Sequence, residues 1–188
     1  MNNTTISGLA TLYGSMGYGY RNGYELDFFS ITNNTFVHFA GYTELNSAIA
    51  WNDECMRILG GDGNVISGNT FVDCGVGMIL ERSPYYYSHS TSEIGADNIS
   101  ISNNVFEDGG EIADVWIYTN NEAQGITITD NEFNPSGGSA VRIFSGNTED
   151  VLIQDNTVVG GDDAFYLNRV ADFTIDGNDI GGISDATS

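Results

Sequence analysis

The hexapeptide "ISNNVF", residues 101–106, is written more than once in this chain. "ITNNTF" stands at 31–36, "ISGNTF" at 66–71 and "ITDNEF" at 128–133, with worn copies "IQDNTV" at 153–158 and "IDGNDI" at 175–180. The shared Asn falls at Asn34, Asn69, Asn104, Asn131, Asn156 and Asn178, separated by 35, 35, 27, 25 and 22 residues. Three positions before it stand Ile31, Ile66, Ile101, Ile128, Ile153 and Ile175. Two positions after it stand Phe36, Phe71, Phe106, Phe133, Val158 and Ile180. Polar Thr32, Ser67, Ser102, Thr129, Gln154 and Asp176 separate the two apolar columns. Alternation at a period of two is the mark of a β-strand with one buried face.

A strand that recurs while the gaps between copies vary predicts a solenoid. The Asn closes each strand where the chain must bend, and Asn tolerates left-handed backbone and bonds local backbone groups. Stacked about 4.8 Å apart, such side chains form a hydrogen-bonded structural ladder. The pattern resembles the right-handed parallel β-helix of pectin-lyase-like proteins, which act on extracellular polysaccharides. That resemblance implies an all-β solenoid of about six or seven coils with an Asn ladder. It runs from a degenerate first unit at Ile6 ("TISG") to Ile180, so residues 1–188 form a single domain, expected to be one stretch of a longer chain.

The composition narrows the partners. The 188 residues hold 26 acidic and 5 basic side chains, all five Arg, for a formal charge of -21. Such a charge argues against nucleic acid or an anionic membrane surface, and no apolar run is long enough for membrane insertion. Localisation outside the cell or on its surface is expected, with any export signal lying beyond this chain. Cys55 and Cys74 lack metal-ligand spacing. Two buried free thiols are expected, with a disulfide as the alternative.

The second strand of each repeat is read at "SAIAW" (47–51), "GMIL" (77–80), "DVWIY" (114–118), "AVRIF" (140–144) and "AFYL" (164–167). Ile49, Ile79, Ile117, Ile143 and Leu167 are expected inward. Met78, Leu80, Trp116, Tyr118, Arg142, Phe144, Tyr166 and Asn168 are then outward, which is too apolar for an ordinary solvated face. The resemblance implies that this sheet lines a substrate groove walled by loops. The longest loop, "ERSPYYYSHSTSEIGAD" (81–97), and the Tyr-rich stretch at 13–24 supply aromatic walls. Aromatic faces beside polar groups suit sugar rings. Trp116, Tyr118, Arg142, Phe144, Tyr166, Tyr85 and Tyr87 are therefore the candidate polysaccharide-binding residues. The alternative is burial of the stripe, self-association or contact with a neighbouring β-helix segment.

Chemistry on such a glycan leaves several routes open. Lyase or C5-epimerase chemistry needs a cation beside the sugar carboxylate, a base and an acid. The candidates are Arg82 or Arg142 as cation, with His89 or His38 and a tyrosine such as Tyr86 as base and acid. "GGDDAF" (160–165) resembles the Gly-Asp-Asp motif of polygalacturonase-type glycoside hydrolases, which would make Asp162 and Asp163 catalytic. The same pair also suits a calcium ion, the one cofactor considered, or a solvated turn. The charge of -21 repels polyuronates, so the expected glycan is neutral, or acidic and bridged by calcium. A non-catalytic structural or adhesin segment of a larger secreted or surface protein is the alternative to an enzyme.

Overall fold

The structure is a computed structural model, and it describes residues 5–7, 10–12, 30–37, 54–59, 61–81, 96–109, 112–118 and 122–184. Among the described residues there is no helix, and every strand pairs in parallel with its neighbours. The chain is a parallel β-helix solenoid. One wall is a seven-stranded sheet that takes one short strand from each coil: Thr5–Ser7, Thr35–Val37, Thr70–Val72, Val105–Gly109, Glu132–Pro135, Thr157–Val159 and Asp179–Gly181. The strands before the Asn form a second wall, and the longer strands Glu54–Leu59, Val76–Glu81, Ala113–Tyr118 and Asp163–Val170 form a third. The 16-residue strand Ser139–Gln154 runs through both of these walls.

Register follows the repeat. Ile31, Ile66, Ile101 and Ile128 face one another across successive coils, and Ile128 continues to Ile153 and Ile175. Phe36, Phe71, Phe106 and Phe133 do the same on the next wall. Their rings stack inside the coil with centroids 4.9, 4.7 and 5.0 Å apart. Parallel stacking at the coil repeat gives Phe71 and Phe106 an aromatic neighbour on each side, a contribution beyond their buried area. The first unit joins the Phe column, where Ile6 pairs with Phe36.

The ladder forms as expected. Asn69 donates its backbone N–H to Asn104 Oδ1 at 2.9 Å and its Nδ2 to the same oxygen at 3.0 Å. Asn104 repeats this toward Asn131, Asn131 toward Asn156, and Asn156 toward Asn178. Each inner side chain also donates to the carbonyl of an Ile one coil back, as Asn104 Nδ2 does to Ile66 O at 3.0 Å. The bend itself lies one residue earlier than the sequence suggested. Positive φ belongs to Asn33, Gly68, Asn103, Asp130, Asp155 and Gly177, between 54° and 66°, while the ladder Asn that follows each is free to point inward. Gly68 is required for space as well, since a Cβ there would stand 2.6 Å from Asn33 Oδ1 of the coil below.

Two further expectations are corrected. Cys55 and Cys74 are not free thiols: they form a disulfide with Cα atoms 5.6 Å apart, both buried. Coil stacking brings Glu54–Leu59 beside Val76–Glu81, and the 19-residue separation is bridged at the corner before the second of these strands. In the same column, the strand of the second coil is Glu54–Leu59, whereas "SAIAW" (47–51), with Ile49, lies outside the described residues.

Replacing Asn104 or Asn131 removes the acceptor for one buried backbone N–H and the donor to one Ile carbonyl. Asn104→Ala and Asn131→Ala are each expected to lower stability by about 1–3 kcal/mol. Thermal or denaturant melting of the two variants checks this, and unchanged midpoints in both would refute the structural role of the ladder.

Candidate functional site

The third wall is where side chains of unlike chemistry meet on an outer surface. Its register sets Ile79, Trp116, Arg142 and Tyr166 opposite one another on four successive coils. One step inward, Leu80, Ile117, Ile143 and Leu167 line up toward the main core. The inward expectation therefore holds for Ile117, Ile143 and Leu167 and fails by one residue at the earlier strand. Met78 and Leu80 are core residues there, and Ile79 joins a separate outer cluster with Val76, Ala113 and Trp116. Because the side-chain period is two, a slip of one residue exchanges the faces of the whole strand.

The outer residues make contact across coils. The Arg142 guanidinium carbon lies 4.6 Å from the Tyr166 ring centroid and 5.7 Å from that of Trp116, so the cation is held between two aromatic faces. Two residues along each strand, Tyr118 and Phe144 stack with centroids 6.0 Å apart and planes 11° apart. Tyr118 also meets Trp116 edge-on at 6.0 Å. Exposure divides the group. Trp116 is only 8% exposed and serves as the floor, whereas Phe144 is 43% exposed and Tyr118, Arg142 and Tyr166 are partly so. Arg142 Nε is buried and meets no hydrogen-bond partner among the described residues. Among the described residues this cation is packed by rings and not by carboxylates.

The remaining sequence candidates separate into two groups. Asp162 and Asp163 sit at the entry to the strand Asp163–Val170, and both are exposed. Asp162 accepts a hydrogen bond from Ser184 Oγ at 3.0 Å, and its own N–H donates to Gly138 O at 2.9 Å. No group of three or more His, Cys, Asp or Glu gathers in metal-holding fashion among the described residues. Arg82, Tyr85, Tyr86, Tyr87, His89 and His38, with the Tyr-rich stretch at 13–24, lie outside the described residues.

One titratable group escaped the sequence reading. Asp114 is 1% exposed, and its Oδ2 meets no hydrogen-bond partner among the described residues. It lies between the Ala113–Val76 and Val115–Met78 pairs, so it stands across from Gly77 of the coil below. A Cβ at Gly77 would come 2.5 Å from Phe106 Cδ1 and 2.6 Å from the Asp114 carbonyl oxygen, which shows how tightly this corner is packed. Burial pushes the Asp114 carboxyl well above its ordinary value of 3.8. The only signal in the sequence is an acid heading an otherwise apolar strand, "DVWIY".

Comparison with protein-family models, with curated protein sequences and with solved structures finds no match to this chain.

The sign of the Asp114 linkage is fixed by its direction. The folded chain keeps this proton at a pH where the unfolded chain has released it. The contribution of Asp114 to stability is therefore greatest in acid, falls as pH rises from 3.8 through the higher folded value, and levels off beyond. Asp114→Asn is expected to melt at a higher temperature than the parent at neutral pH and to flatten the dependence of melting on pH. Melting curves recorded across acid and neutral buffers test this, and an equal slope in both proteins would refute it.

Proposed function

We propose that the third wall binds an extracellular polysaccharide. The observation that carries the proposal is the Arg142 guanidinium held between Trp116 and Tyr166 without a carboxylate partner among the described residues, beside the partly open Tyr118–Phe144 stack. Flat rings offer C–H contacts to a pyranose face, and a guanidinium fixed by its neighbours offers preorganised donors to hydroxyl or carboxylate oxygens. Three coils carry the open part of this surface, a span of about 10 Å, enough for roughly two sugar rings. A neutral glycan suits the charge of -21, and an acidic glycan would need calcium to bridge it. The resemblance to pectin-lyase-like proteins supports the same substrate class, with lyase, hydrolase or epimerase chemistry depending on Arg82, Tyr86, His89, Asp162 and Asp163. The Cys55–Cys74 disulfide supports an oxidising, extracellular setting.

A second reading is a structural or adhesin β-helix segment. It is favoured by the continuous Asn ladder and the stacked Phe column, which make the coils a rigid scaffold.

A glycan array followed by calorimetry on the best ligand, with and without calcium, separates the two. Phe144→Ala and Tyr166→Ala are each expected to weaken binding by about 1 kcal/mol, roughly five-fold, with little change in melting temperature. Binding left intact in both variants would favour the structural segment.

A further inference from the structure

Two exposed corners carry a signature that the turn itself does not require. Asn33 and Asn98 both occupy left-handed backbone, with φ of 56° and 52°, and both are exposed. Each heads an Asn-x-Ser/Thr triplet, Asn33-Asn34-Thr35 and Asn98-Ile99-Ser100. The hydroxyl two residues on is not needed for the bend, because other left-handed corners place Val65, Val105, Glu132 or Leu152 there. Both asparagines also meet a glycine on the next coil. A Cβ at Gly68 would stand 2.6 Å from Asn33 Oδ1, and one at Gly125 would stand 2.6 Å from Asn98 Oδ1. The carboxamide oxygen is thus seated against a coil that raises no side chain beside it. Asn98 Nδ2 donates to Asp62 Oδ1 at 2.8 Å, a contact open to solvent.

We propose that Asn33 and Asn98 are acceptor sites for asparagine-linked glycan carried by the chain itself. The triplet is the pattern that an oligosaccharide transferase reads in exported proteins. In that reaction Nδ2 attacks the anomeric carbon of a lipid-diphosphate-linked oligosaccharide. The N–C bond forms, the C–O bond to the diphosphate breaks, the amide gives up one proton and the lipid diphosphate departs. The product nitrogen keeps one hydrogen, which suffices for the bond from Asn98 to Asp62. The proposal rests on the extracellular setting of the binding reading, which the buried disulfide supports, and not on the ligand of that reading.

The fold accepts a bulky group at these two places. Coils stack along the axis while corners project sideways, so a glycan there leaves strand pairing intact. Both corners border the second wall, since Asn98 leads into Ser100–Ser102 and Asn33 follows Ser30–Thr32. From Ser30–Thr32 through Val65–Ser67 and Ser100–Ser102 to Thr127, Ile128 and Thr129, that wall carries no charged residue, in a chain of formal charge -21. A hydrated glycan at each edge would cover the face that charge leaves bare.

Two other asparagines serve as internal controls. Asn103 is exposed and left-handed, with φ of 54°, but Val105 stands two residues on and Asp130 holds the matching corner of the next coil. Asn134 is exposed and followed by Ser136, but Pro135 lies between them and blocks the triplet. Further triplets headed by Asn2 and Asn3 lie outside the described residues.

The test is export of the full chain, behind a cleavable signal, from a eukaryotic cell line. The secreted protein is digested with peptide-N-glycosidase in heavy-oxygen water and mapped by peptide mass, so that each former glycan site reads as a labelled Asp. The expected result is label at Asn33 and Asn98 and none at Asn103 or Asn134. Thr35→Ala and Ser100→Ala should each remove one glycan, read as a mass step on the intact protein, whereas Thr35→Ser should keep it. Secreted protein without label at either asparagine, or label confined to retained and aggregated chain, would overturn the proposal. Polysaccharide binding measured on Thr35→Ala and Ser100→Ala should match the parent, so the failure of one proposal is read separately from the failure of the other.

Discussion

The hydrogen bond from one ladder Asn N–H to the carboxamide oxygen of the next is the constraint on which the rest depends. It is made inside the coil, away from water, so a rung shifted by one residue leaves a buried donor and acceptor unpaired. Such a loss costs more than the intact bond contributes, so the ladder acts chiefly by excluding other registers. With the Asn column fixed, the Ile and Phe columns on either side have no choice of partner. The stacked rings of Phe36, Phe71, Phe106 and Phe133 follow from that alignment.

The same register builds the outer surface. Trp116, Arg142 and Tyr166 are far apart in sequence, and only stacking of three coils sandwiches the guanidinium between the two rings. An outer face built this way has little freedom to rearrange, because Trp116, Tyr118, Arg142 and Phe144 ride on strands paired on both sides. A ligand meeting Arg142, Tyr166, Tyr118 and Phe144 finds groups that are already ordered, so less entropy is lost on contact.

The acidity of the chain has a structural component. Asp73, Asp108, Asp130, Asp150, Asp155 and Asp172 all occupy left-handed backbone at the corners of coils, a conformation that favours Asn, Asp and Gly over other residues. The corners face solvent, where a charged Asp is well hydrated. Part of the charge of -21 is thus carried by residues that the corners require in any case. Asp114 is the opposite case, an acid placed where the fold offers it neither water nor a partner among the described residues.

The sequence by itself determined the solenoid, the six ladder positions and the Ile and Phe columns, because these are periodic and period is a one-dimensional property. It also determined the facing of Ile117, Ile143 and Leu167, where a strict alternation surrounds them. Tertiary structure decided everything that depends on the phase between coils. It placed Ile6 in the Phe column, turned Ile79 outward and Met78 and Leu80 inward, and joined Cys55 to Cys74. Variable loops between strands erase that phase from the sequence, and an isoleucine alone does not say which column it belongs to. The candidate site was legible as residue types, since Arg142, Phe144 and Tyr166 stood out on an outward face. Which of them would be floor and which open surface was not legible, because the burial of Trp116 comes from neighbours on other coils and from Ile79, Val76 and Ala113 packing beside it.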